Sequence, residues 1–176
     1  MLDYVREVTN AKGAKRGERL QALWSGYGEI VRVHLEAAGY DTVIVKHVAP
    51  PNIASHPRGW ANERGHARKL RSYEVEAAFY ERYAERCPED TRVAKPFGVR
   101  KDAAEWLFVL EDLDGSGYER RARDVSDGEL LACLEWLAGF HAAFMHESAE
   151  DLWSEGTYWH LATRPDELAS MDPSPL

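Results

Sequence analysis

Thr42-Val43-Ile44-Val45-Lys46-His47-Val48 decides the reading of this chain, because a β-branched run of this density predicts a strand and Pro50-Pro51 must end it. Successive side chains of a strand point to opposite faces, so Lys46 shares its face with Ile44 and Val48. A lysine near a strand end ordinarily carries its ammonium to solvent. Its apolar companions instead suggest an inward-facing ammonium, and such a group needs a carboxylate partner.

Working back from this strand, Ala38-Gly39-Tyr40-Asp41 reads as a turn, and Ile30 to Leu35 as a strand with Val31, Val33 and Leu35 on one face. Arg19 to Trp24 reads as another strand, and Ser25-Gly26-Tyr27-Gly28 as the glycine-bearing tip of the hairpin between them. Gly26-Tyr27-Gly28 taken alone specifies no more than a hairpin turn.

Working forward, residues 52–69 are rich in Pro, Gly, Asn, His and Arg and read as a long loop or short helical piece carrying Arg58, Arg64, Arg68 and Lys69. From Leu70 the apolar or small positions Tyr73, Ala77, Tyr80 and Ala84 follow the three-and-four spacing of one helical stripe. Glu76 lies beside that stripe and is the carboxylate expected to pair with Lys46; a solvated helix face is the alternative. Val93 to Arg100 and Glu105 to Leu110 give two more strands, the first an edge or bulged strand because of Pro96. The polar segment Glu111-Asp112-Leu113-Asp114-Gly115 breaks the pattern. Read as a calcium loop, it has Arg123 where position 12 requires Glu. Ser126-Asp127-Gly128-Glu129 is a capping box opening a helix through Leu130, Leu134, Leu137, His141 and Phe144.

Composition narrows the function classes. The 176 residues are 44% hydrophobic and 30% charged, which suits a packed core rather than a disordered chain. A net charge of -8 argues against a general nucleic-acid binder. Cys87 and Cys133 form neither a disulfide framework nor a zinc motif. The histidines fit no metal spacing, and His141 on its apolar helix face is expected to be a hydrogen-bonded core residue. With no signal-peptide pattern and no long apolar run, the expected location is the cytoplasm and no membrane contact is expected.

The order of parts is that of a kinase-type ATP-binding lobe: a glycine turn, a strand lysine, a helix glutamate, then an apolar strand running into a polar segment. Val43 to Lys46, Ser72-Tyr73-Glu74-Val75-Glu76-Ala77-Ala78-Phe79-Tyr80, Val109-Leu110-Glu111-Asp112-Leu113 and Gly139-Phe140-His141-Ala142 together resemble the aminoglycoside phosphotransferase and choline kinase superfamily. The similarity is strongest to its ecdysteroid-kinase-like (CHK kinase-like) branch, with His56 to Trp60 and Tyr158 to Thr163 as looser matches.

The resemblance implies an α+β fold: a protein-kinase-like N-terminal lobe over 1–110, with a five-stranded antiparallel sheet and one helix, a hinge over 111–125, and the first helices of an incomplete C-terminal lobe over 126–176. It implies that Lys46 contacts the α- and β-phosphates of ATP, that Glu76 orients Lys46, and that Ser25, Gly26, Tyr27 and Gly28 cover the phosphates. The backbone carbonyl of Glu111 and amide of Leu113 would seat adenine. The reaction implied is transfer of the γ-phosphate to a small-molecule hydroxyl acceptor. The family's His-Gly-Asp loop, its downstream Asn and the later metal-binding Asp do not occur in the 176 residues, so the chain reads as an N-terminal portion whose Mg²⁺ ligands belong to the rest. The alternatives are a catalytically dead nucleotide-binding module and a partner-binding protein that self-associates through the apolar face of the helix at 126–145.

Overall fold

The computed structural model describes residues 1–50, 63–103, 105–160, 162, 164, 165 and 169. Five strands form one sheet in the order β1-β2-β3-β5-β4, with every neighbouring pair antiparallel. They are β1 (Gly13–Ala22), β2 (Gly28–Glu36), β3 (Thr42–Val48), β4 (Pro96–Asp102) and β5 (Glu105–Glu111). The helices are α1 (Leu2–Thr9), α2 (Glu63–Arg82) and α3 (Asp127–Phe144), so the fold class is α+β.

The alternation of β3 sorts two cores onto the two faces of the sheet. Val43 and Val45 join Val31, Val33, Leu107 and Val109 in a fully or almost fully buried mat. Val5 of α1 closes that mat from above. Val48 belongs to the opposite cluster, with Trp106 and Phe108 of β5, Tyr27 and Tyr73 of α2, flanked by Leu70, Ala77 and Tyr80. The α2 stripe expected from the spacing is therefore the face that packs.

α1 was not expected from the sequence. Its eight residues end at Asn10 in the left-handed conformation, where the Ala11 amide reaches the Arg6 carbonyl at 3.2 Å. Gly98 lets it lie close on β4, since a Cβ there would run into Tyr4 and Val8.

Three boundaries also move. β1 begins at Gly13, earlier than Arg19, and ends before Leu23 and Trp24; it is an edge strand with charged residues and two register shifts, which blunt it against further pairing. α2 begins at Glu63, so of the two readings of the segment, loop or short helical piece, residues 63–69 take the helical one, as the first turns of a longer helix. β4 begins at Pro96, not Val93; it is the other edge, and its register shifts between Pro96 and Gly98, so it is both edge and bulged. Residues 51–62, which include His56 to Trp60 and Arg58, lie outside the described residues, as do Leu161 and Thr163.

α3 carries the full capping box: Ser126 Oγ accepts the Glu129 amide at 3.4 Å, and Glu129 accepts the Ser126 amide at 2.9 Å. Trp136, Phe140 and Phe144 turn toward the rest of the chain, where Phe140 meets Phe79 and Phe144 meets Tyr83. Leu130, Leu131, Leu134 and Leu137 remain exposed. His141 is exposed as well, contrary to its expected place in a core, because α3 uses its aromatic edge for packing. Among the described residues no helix is long and apolar enough to cross a membrane.

Candidate functional site

β3 and α2 bring Lys46 and Glu76 together. Lys46 Nζ lies 2.7 Å from Glu76 Oε1 and 2.5 Å from Oε2, so both carboxylate oxygens accept from one ammonium. The pair is part-buried rather than sealed, with the two side chains 17% and 28% exposed. An ion pair in that setting adds little stability, because desolvation offsets most of the attraction. Its consequence is positional: the ammonium is held in one place with one edge open.

The floor under the pair is aromatic. Lys46 Nζ is 5.2 Å from the Tyr73 ring centroid and 5.5 Å from that of Phe108, its direct neighbour across β3 and β5. Burial first, and the Glu76 charge second, push the Tyr80 hydroxyl up to about 12 and raise that of Tyr73 further. Neither phenol competes as an acid near neutrality.

The glycine turn sits at the Val48 end of β3, two residues past Lys46. Gly28 opposes Val48 in register and has φ +135, where a Cβ would collide with the His47 carbonyl. Ser25 and Gly26 are also left-handed, at φ 56 and φ 75, and nothing lies within 4 Å of where a Gly26 Cβ would be. Tyr27 anchors the turn: its ring is buried against Val48 and Tyr73, and its hydroxyl meets His66 Nδ1 of α2 at 2.6 Å. That last contact has no signal in the sequence, since Tyr27 and His66 are 39 residues apart and no local pattern pairs them.

Glu111 and Leu113 lie at the far end of β5. Glu111 opposes Val43, three register positions from Lys46, or about 10 Å at a strand's usual rise. The Glu111 carboxylate is not directed at a ligand: it takes Arg92 at 2.6 and 3.1 Å, the Ser116 hydroxyl at 2.5 Å and the Lys95 amide at 3.0 Å. These contacts, Arg92 foremost, pull its pKa down to about 2. Next to it, Asp112 accepts from Arg32 Nε at 2.5 Å and from Thr42 at 2.8 Å. The Leu113 carbonyl accepts the Ser116 and Tyr118 amides at 3.1 and 2.9 Å. The segment after β5 is thus fixed by side-chain ion pairs that the sequence did not disclose.

The residues suit a phosphate group better than a metal. A clamped lysine and a glycine turn with left-handed backbone are chemistry for phosphate oxygens. Among the described residues no group of three or more His, Cys, Asp or Glu could hold a metal ion, and Glu76 is engaged by Lys46. No family model matches the chain, and no curated protein matches it significantly.

Proposed function

We propose that this chain is the ATP-binding lobe of a small-molecule phosphotransferase of the aminoglycoside phosphotransferase and choline kinase type, acting on a hydroxyl acceptor in the cytoplasm. The lobe would span 1–110, with a hinge over 111–125 and the start of a helical lobe over 126–176. The observation that carries the reading is the Lys46–Glu76 pair at 2.5 to 2.7 Å, formed between β3 and the helix that follows it. In a kinase-type lobe that pair must be in place for the lysine to meet the α- and β-phosphates. A lysine whose counter-ion is a helix glutamate keeps its position when phosphate arrives, so little reorganisation is required.

The rest of the assignment follows the strand directions. Gly28 pairs with Val48, two residues past Lys46, so Ser25, Gly26, Tyr27 and Gly28 would cover the phosphates; Glu111 pairs with Val43, three register positions to the other side of Lys46, so its carbonyl and the amide of Leu113 just beyond it would seat adenine. That separation matches an extended nucleotide with its base at one end of the strands and its phosphates at the other. The 176 residues contain no His-Gly-Asp segment, so binding without turnover is the outcome expected of this chain.

A second reading rests on the exposed leucines of α3. Leu130, Leu131, Leu134 and Leu137 are each more than two-fifths exposed, which is unusual for four leucines on one helix and favours a catalytically inactive module that binds a partner or a second copy through this face. Calorimetric titration with ATP separates the readings. Saturable binding that is lost in Lys46→Ala supports the nucleotide lobe. Absence of ATP binding, together with self-association abolished by making Leu134 and Leu137 polar, supports the other.

A further inference from the structure

Lys69 stands two helical turns before Glu76 on α2, on the side that faces the same aromatic floor. Its ammonium is 5.0 Å from the Tyr73 ring centroid, while that of Lys46 is 5.2 Å from the same centroid. The ring of Tyr158 lies 5.4 Å from Lys69 on another side. Two cations thus converge on the ring of Tyr73, whose centroid lies 6.3 Å from that of Tyr27, the anchor of the glycine turn.

Their counter-ions differ. Lys46 is neutralised by Glu76, whereas among the described residues no carboxylate stands within ion-pair distance of Lys69. Two arginines of the same helix each have a carboxylate: Arg71 pairs with Glu74 and Arg82 with Asp151. Lys69 is also no ordinary surface lysine, because burial, and then the Lys46 charge, lower its basicity, with Glu76 offsetting part of the effect. A half-buried ammonium beside another cation is held at a cost that an anion would remove.

We infer that Lys46 and Lys69 together form a two-cation subsite for the polyphosphate chain of a nucleotide, in which Lys69 takes the phosphate oxygens that Lys46 does not reach. The inference rests on the nucleotide reading of the Lys46 site and adds to it a second cation from α2. Two ammonium groups sharing one ring match a di- or triphosphate better than a single carboxylate, because the ligand's charge is spread along a chain. Lys46 is already paired with Glu76, so Lys69 adds a cation whose charge no carboxylate offsets at ion-pair distance among the described residues.

The test uses the full chain at low salt without metal, titrated separately with ATP, AMP and inorganic tripolyphosphate. Lys69→Gln should weaken ATP and tripolyphosphate about tenfold or more, as expected for one lost charge-assisted contact, and change AMP little. Lys69→Arg should keep most of the affinity, and Lys101→Gln, a surface lysine paired with Glu74, should change nothing. In the unmodified chain, tripolyphosphate should shift the side-chain ammonium resonance of Lys69, a readout independent of any variant. Tripolyphosphate binding that depends on Lys69, without ATP binding, would uphold the subsite and sink the nucleotide reading. ATP binding lost in Lys46→Ala but equal in Lys69→Gln and the unmodified chain would sink the subsite and leave the reading standing. No binding of either ligand would sink both.

Discussion

Val45 and Lys46 are chain neighbours on opposite faces of one sheet, and the two faces do different work. Toward α1 the sheet presents valines and Leu107, closed by Val5. Toward α2 it presents Val48, Trp106 and Phe108 beneath two tyrosines and the ion pair. The α1 face is dry and uniform, so any polar intruder is costly there. The α2 face mixes aromatic surface with charge and stays partly open, which trades packing for a place where a ligand can meet an ammonium. One strand supplies both because its side chains alternate.

Exchanging the character of the two faces should give the largest effect. Val45→Lys would bury an unpaired charge among valines at a cost of several kcal/mol, comparable with the whole stability of a domain this size. The chain should lose its cooperative thermal transition, and a folded Val45→Lys protein would mean that the α1 face is not sealed. A milder break on the same face is Val5→Ala, expected to cost about 2 kcal/mol through two lost methyl groups and a small cavity. Denaturant titration checks it.

Acid should then act at the end of β5 rather than at either core. The folded-state pKa of Glu111, about 2, is depressed below its ordinary 4.5 by Arg92, Ser116 and the Lys95 amide. A depressed carboxylate contributes stability that is present above pH 4.5 and is lost as the pH falls toward 2. The contribution is on the order of 2 kcal/mol. Arg92→Met should flatten the stability profile between those values; an unchanged slope would remove the Arg92–Glu111 pair from the account.

The smallest stability effect belongs to the site itself. Lys46→Met should change stability by about 1 kcal/mol or less, since a part-exposed pair is screened and Glu76 can turn to water. It should nevertheless abolish ATP binding. A large loss of stability would recast Lys46 as a structural residue.

The sequence disclosed these faces unevenly. The parity of β3, the α2 stripe, the Ser126 capping box and the irregularity at Pro96 were all legible because each is set by neighbours in the chain. α1 was hidden by its shortness: eight residues form a stable helix only against the valine mat, a tertiary fact. The first half of β1 was hidden because Lys15, Arg16 and Glu18 protect an edge and carry no apolar alternation. At the site, Lys46 and Glu76 followed from strand parity and helix spacing. The Tyr27–His66 bond, the Arg92 clamp on Glu111 and the approach of Lys69 to Tyr73 join residues whose partnership no local pattern encodes.

Amide chemical-shift mapping during an ATP titration tests the central claim most directly, because it reports which face of the sheet responds. The account predicts that Gly26, Lys46 and Leu113 shift first and together, that Val43 and Val45 follow only weakly, and that Lys46→Ala erases the response. Shifts confined to the basic stretch at 64–71, or a pattern indifferent to Lys46→Ala, would contradict it.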